Sequence, residues 1–293
     1  METKELLRNV RRIEIKTRGL VNNVFSGEYH SVFKGRGMSF SEVREYQFGD
    51  EIRFIDWNVS ARLDKPYLKI FEEEREQTLM IIFDASASGD FGTNKQTKRE
   101  LMIEMAAVVA FSAIKNNDKV GLMIYTEEVE KFIPPKKGRS HVLRLIRELI
   151  AFVPKARGTR IAAPLELTSH ILKRRSIVFV ISDFLDQGFD TSLRTLAKKH
   201  DVIGLRVADQ REQNWPLVGL VTLEDEETGA LIDIDTADQQ FHAILRQRVD
   251  AEENRLKEIF KSSRVDLINI FTGSDYAEAL ISFFRKRIFN RSR

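Results

Sequence analysis

Five near-continuous apolar stretches of strand length constrain this chain most, at residues 78–83, 119–125, 176–181, 201–207 and 264–271. None alternates with period two, so each is expected to be buried on both faces. Segments with helical spacing lie between and after them, at 97–115, 140–152, 162–173, 191–199, 236–261 and 275–288. Alternating strands and helices of this kind predict a mainly parallel sheet covered on both sides. Right-handed crossovers then make it a doubly wound, Rossmann-like α/β domain over residues 77–293. Residues 129–133 are expected to run antiparallel to 119–125 across a turn at 126–128. Residues 218–235 read as a β-hairpin turning at Glu227-Thr228-Gly229, within an insertion of about 215–235.

The first 76 residues differ in character. Leu7, Val10, Ile13, Leu20, Val21 and Val24 form a rough helical stripe interrupted at Gly19. Residues 27–62 combine glycines at 27, 35, 37 and 49 with dense charge and with Phe40, Tyr46, Phe48, Phe54 and Trp57. That mixture predicts an ordered, loop-rich extension packed on the main domain. Residues 67–76 read as an edge strand running into Glu72-Glu73-Glu74. Arg44, Asp50, Arg53, Asp56 and Arg62 alternate in sign among the aromatics. Half-buried ion pairs with aromatic packing would lock this module onto the sheet. The functional alternative is a partner-docking surface, since aromatics and arginine dominate interface energetics.

Composition removes several chemistries. There are no cysteines, which excludes disulfides, thiol catalysis and cysteine-ligated metal sites. No apolar run approaches the ~18–20 residues of a membrane span. The charged N-terminus lacks a signal-peptide core, so a cytoplasmic address is expected. The histidines, at 30, 141, 170, 200 and 242, are scattered and predict no zinc site. Gly35-Arg36-Gly37 lacks the P-loop lysine pattern. Lys136-Lys137-Gly138-Arg139, ahead of a helix, reads as a solvated turn or an anion contact at the helix N-terminus. Net charge is only +3, but Arg285, Lys286, Arg287, Arg291 and Arg293 cluster at the C-terminal end without an acidic residue. Such a cluster suits the C-terminal end of a helix dipole; the alternative is a nucleic-acid contact.

In an open parallel sheet, ligands collect at the carboxyl ends of the strands, near the switch point. Asp84-Ala85-Ser86-Ala87-Ser88 follows the first core strand, and Ser182-Asp183 follows the third. Thr159 lies between them, after Gly158 and before a helix. Alone, Asp84, Ser86 and Ser88 suit a turn or a helix cap. With Thr159 and Asp183 they make an all-oxygen set of two carboxylates and three hydroxyls, the donor type preferred by Mg²⁺, Mn²⁺ or Ca²⁺. Neutral hydroxyls leave much of the ion's charge unquenched, so an external carboxylate or phosphate oxygen could join the coordination.

The Asp84-x-Ser86-x-Ser88 pattern, with Thr159 and Asp183 on later loops, resembles the metal-ion-dependent adhesion site of von Willebrand factor type A domains. Residues 39–57, from Ser39-Phe40-Ser41-Glu42 to Phe54-Ile55-Asp56-Trp57, resemble the signature of the bacterial family catalogued as domain of unknown function fifty-eight. Ser60-Ala61-Arg62, Phe71-Glu72-Glu73-Glu74 and Trp215-Pro216-Leu217-Val218-Gly219 continue that likeness along nearly the whole chain. Departures are Gly89, where many relatives carry methionine, and Asp209-Gln210-Arg211-Glu212, where relatives usually have Asp-Pro-x-Glu. Some relatives also carry membrane helices before the signature. The resemblance implies a type A domain with an intact metal site, often encoded beside a MoxR-type AAA+ ATPase and acting in chaperone-like assembly or maturation. The expected function is therefore a non-enzymatic, metal-dependent protein-interaction module whose partner donates an acidic residue to the ion. The enzymatic alternative is Mg²⁺-dependent phosphoryl transfer through Asp84. Against it, haloacid-dehalogenase-type phosphatases carry a second aspartate where this chain has Ser86.

Overall fold

The computed structural model describes residues 3–21, 26–33, 39–72, 76–92, 96–213, 215–224 and 231–291. Helices α1 (Thr3–Leu20) and α2 (Ser26–Phe33) precede strand β1 (Ser39–Glu45), helix α3 (Trp57–Leu63) and strand β2 (Tyr67–Glu72). The main run is β3 (Thr78–Asp84), α4 (Lys98–Lys115), β4 (Lys119–Tyr125), β5 (Val129–Lys136), α5 (Arg139–Ala151), α6 (Ala162–Ile171), β6 (Ile177–Ser182), α7 (Asp190–Lys199) and β7 (Asp201–Ala208). It continues through α8 (Gln210–Gln213), β8 (Leu220–Glu224), β9 (Leu231–Asp235), α9 (Gln239–Ser263), β10 (Asp266–Phe271) and α10 (Tyr276–Arg291).

The central sheet has the order β10-β7-β6-β3-β4-β5. All its pairings are parallel except β4 with β5. The first strand of the sheet thus lies centrally, with the order reversing between β3 and β6, which is the doubly wound arrangement expected. Residues of β3 divide by parity between two cores. Leu79, Ile81 and Phe83 enter one core, with residues of α1, α2, α4, α5 and α10. Met80 and Ile82 enter the other, with Leu165, Leu193, Leu196, Leu256 and Phe260. Burial on both faces is why the strands read as continuous apolar runs.

Helix α4 is buried nearly all round. The sheet covers one flank and α1 another, through Val10 and Ile13 and through a Lys16–Glu104 ion pair at 2.6 Å. Glu14 of α1 also accepts from Arg139 Nε at 2.8 Å. The expected stripe therefore runs through Gly19 as far as Val21, and Val24 lies outside the described residues. Gly204 of β7 has a packing reason: an added Cβ would lie 2.5 Å from the Phe260 ring, so glycine lets α9 approach the sheet.

The N-terminal extension is more regular than a loop-rich segment. Its β2 is not an edge of the main sheet but pairs antiparallel with β1 in a separate ribbon. The Arg44–Asp50 pair forms, at 2.9 and 2.7 Å. The expected aromatic packing does not extend to Phe48 and Trp57, which are fully and two-thirds exposed. The hairpin is present as β8–β9; its turn at Glu227-Thr228-Gly229 lies outside the described residues, as do Glu73-Glu74 and Gly35-Arg36-Gly37. In the C-terminal cluster, Arg287 is committed to the fold, paired with Asp201 and Asp266 and stacked near Phe33 and Phe283. Arg293 lies outside the described residues.

Candidate metal centre

Strands β3 and β6 are direct neighbours, with Phe83 opposite Ile181. Their carboxyl ends therefore bring Asp84 beside Ser182 and Asp183. Both aspartates are almost wholly buried, at 2% and 4% exposure. Asp84 Oδ1 accepts the Ser86 N–H at 2.9 Å, while Oδ2 accepts Ser182 Oγ–H at 2.6 Å and the Tyr125 hydroxyl at 3.2 Å. The backbone after β3 then enters a single 3-10 turn, Ala87–Asp90. That turn directs the Ser86 and Ser88 hydroxyl oxygens to within 3.1 Å of each other. Arg99 clamps the loop, donating to the carbonyls of Ala85 and Ser86 at 3.2 and 3.1 Å and to Asp90 at 2.6 Å.

The 157–159 loop lies against the same turn. The Ala87 N–H donates to the Arg157 carbonyl at 3.0 Å, and Thr159 sits two residues further on, half-buried. Gly158 lies close under the Glu127 side chain, whose Oε1 would stand 2.6 Å from an added Cβ and would have to swing aside. The structure thus brings Asp84, Ser86, Ser88 and Asp183 to one strand-end crevice, with the Thr159 loop packed beside them.

Burial and the like charge of Asp183 push the Asp84 carboxyl up to about 6, although the hydrogen bonds from Ser182 and Ser86 pull the other way. Tyr125 is driven well above the ordinary phenol range by burial and by Asp84, so it stays a neutral donor. Asp84 and Asp183 repel each other in this buried setting, and an added cation would relieve that repulsion. The donor set also fits a hard one. The Ser86 and Ser88 hydroxyls hydrogen-bond to each other at 3.1 Å, which leaves their oxygens adjacent, as two cis ligands of one Mg²⁺, about 3.0 Å apart, would have to be. No group of three or more His, Cys, Asp or Glu converges among the described residues, so hydroxyls must complete any such site.

The crevice has one further charged member. Lys98, the first residue of α4, is fully buried and donates to Asp183 Oδ2 at 3.1 Å and Glu212 Oε1 at 2.6 Å. Burial lowers its affinity for the proton, but the Asp183 and Glu212 charges outweigh that and hold it above the usual lysine range. Glu212 Oε2 accepts the Asp209 N–H at 3.0 Å, and buried Asp209 accepts the Thr272 hydroxyl at 2.5 Å. The only sequence hint was a lysine in the first turn of a helix, against the dipole.

No helix among the described residues is long and apolar enough to cross a membrane. The chain is 27% identical over 294 residues to the uncharacterized protein Rv1480 of Mycobacterium tuberculosis, covering 98% of this chain and 91% of that one. It is 30% identical over 109 residues to the uncharacterized protein YeaD of Bacillus subtilis, covering 37% of this chain and 25% of YeaD. Among solved structures it is similar to the conserved hypothetical protein BatB from Bacteroides thetaiotaomicron, at 15% identity and a TM-score of 0.49, covering 72% of this chain and 98% of BatB. It is also similar to the VWA domain of SpRpn10, at 11% identity and a TM-score of 0.42, covering 71% and 95% of the two chains. The family model described as Protein of unknown function DUF58 matches residues 42–255, more than half of the sequence, and the chain belongs to that family.

Proposed function

We propose that this protein is a non-enzymatic, metal-dependent interaction module in which Asp84, Ser86, Ser88, Thr159 and Asp183 hold Mg²⁺ or a similar hard cation. The observation that carries the reading is the convergence of the hydrogen-bonded Ser86 and Ser88 hydroxyls with the buried carboxylates of Asp84 and Asp183 at the ends of neighbouring strands. A cation bound there would offer a coordination position to an external carboxylate. Asp84 holds the loop through its bonds to Ser86, Ser182 and Tyr125, and half-buried Ser88 marks the side open to solvent. The partner is then a protein that presents an acidic side chain. The family resemblance makes a cytoplasmic MoxR-type AAA+ ATPase, or its client, the first candidate.

The phosphoryl-transfer alternative is less well supported. Haloacid-dehalogenase-type phosphatases use a second aspartate as general acid two positions after the nucleophile, and Ser86 stands there. The test is pull-down of a MoxR-type ATPase by this protein, in Mg²⁺ and in EDTA. Retention in Mg²⁺ that is lost in EDTA and in Asp84→Ala is the expected result. Equal retention in all three conditions refutes the proposal, as does metal-dependent turnover of an aryl phosphate.

A further inference from the structure

Lys98 is placed at odds with its chemistry. It stands at the positive end of the α4 dipole, where a cation is disfavoured, and its side chain is only 1% exposed. Burying an ammonium costs several kcal/mol, and a buried ion pair rarely repays that better than apolar packing would. Stability alone therefore does not account for it. Its two partners do different things. Asp183 belongs to the candidate metal centre, while Glu212, 30% exposed, belongs to the capping turn of α8.

We infer that Lys98 is a built-in counter-cation that competes with the divalent ion for Asp183, and that Glu212 sets how much of its charge Asp183 receives. This rests on the metal-dependent reading above. With the ammonium in place, one of the centre's two carboxylates is already partly neutralised, so the chain alone holds a divalent ion weakly. An acidic group from the partner restores the missing negative charge. Ion and partner consequently bind with positive coupling, each raising the affinity for the other. Lys98 is too buried to touch the partner and acts only through Asp183, as a positioning residue.

The experiment is calorimetric titration of the full chain with Mn²⁺ and Mg²⁺, for wild type, Lys98→Met, Lys98→Arg and Glu212→Gln. Losing the internal cation should tighten binding by about tenfold or more, because one unit charge a few ångströms away acts at low effective dielectric. Glu212→Gln should weaken binding by about threefold or more, since the ammonium then turns wholly to Asp183. Lys98→Arg keeps the charge and should stay near wild type. The opposite signs are the signature. A merely structural bridge would lose affinity, or nothing, on breaking from either end, and that pattern overturns the inference. If wild type binds no ion but Lys98→Met does, the occupied-site reading falls while the competition stands. If neither binds, both fall. Should Lys98→Met fail to fold by circular dichroism, Glu212→Gln alone decides, and an affinity at or above wild type overturns the inference.

Discussion

Asp84→Asn should make the metal-free protein more stable while abolishing its response to Mg²⁺. The side chain is 2% exposed and faces Asp183, and its carboxyl titrates near 6 rather than near 3.8. Because the folded pKa is raised, the folded state binds more protons than the unfolded one between about pH 4 and 6. Stability is therefore highest below that window and is lost as pH rises through it. Once ionised in both states, the group costs the fold on the order of 3 kcal/mol. Asparagine removes the charge and keeps the side-chain shape, at the cost of the acceptor that the Ser182 and Tyr125 hydroxyls use. Its oxygen can still accept the Ser86 N–H, and its amide can face the Ser182 and Tyr125 hydroxyl oxygens, whose hydrogens then turn away, a loss that offsets part of the gain. For a chain of this length, 3 kcal/mol corresponds to roughly 5 °C in melting temperature. Scanning calorimetry in EDTA should show Asp84→Asn above wild type at pH 7.5, with the gap falling to about a third by pH 4.5. Saturating Mg²⁺ should raise wild type only. A variant less stable than wild type in EDTA at pH 7.5 would show that the two aspartates do not burden the empty fold, and the electrostatic argument would collapse.

Asp118 offers a control away from the crevice. Burial pushes its carboxyl to about 6 despite a hydrogen bond from the Gln77 N–H at 2.8 Å, so Asp118→Asn should stabilise the chain above pH 6, equally with and without Mg²⁺, in urea melts at two pH values. Gly204→Ala would press a methyl group against Phe260 and should cost about 1–3 kcal/mol in urea unfolding; no loss would mean that α9 is free to shift. Arg287→Ala removes the pairs with Asp201 and Asp266 and the contacts near Phe33 and Phe283, so a loss on the order of 2 kcal/mol is expected in the same assay. Unchanged stability in that variant would show that these contacts do not anchor α10.

The central sheet was legible because burial on both faces writes itself as unbroken apolar runs, and β5 was legible from its turn. The strand-end rule located Asp84 and Asp183, since β3 and β6 meet at the switch point. Three features were hidden for physical reasons. Gly19 costs a helix about 1 kcal/mol, yet burial of Val10, Ile13 and Val21 carries α1 past it. Phe48 and Trp57 looked like core residues, but an apolar residue does not by itself say which surface covers it. Lys98 and Glu212 are 114 positions apart, and no local pattern joins them.

Helix α4 gives the N-terminal segment a role that family likeness alone would not. The matched region begins at residue 42, yet Val10, Ile13, Val21, Tyr29, Val32 and Phe33 all belong to the core that β3 and α4 share. A recombinant fragment cut at the start of the matched region would uncover a greasy flank and strand Glu104 without the Lys16 ammonium that faces it. The smallest autonomous folding unit therefore reaches back to α1, and a boundary drawn from recognisable motifs would divide a single piece of chemistry.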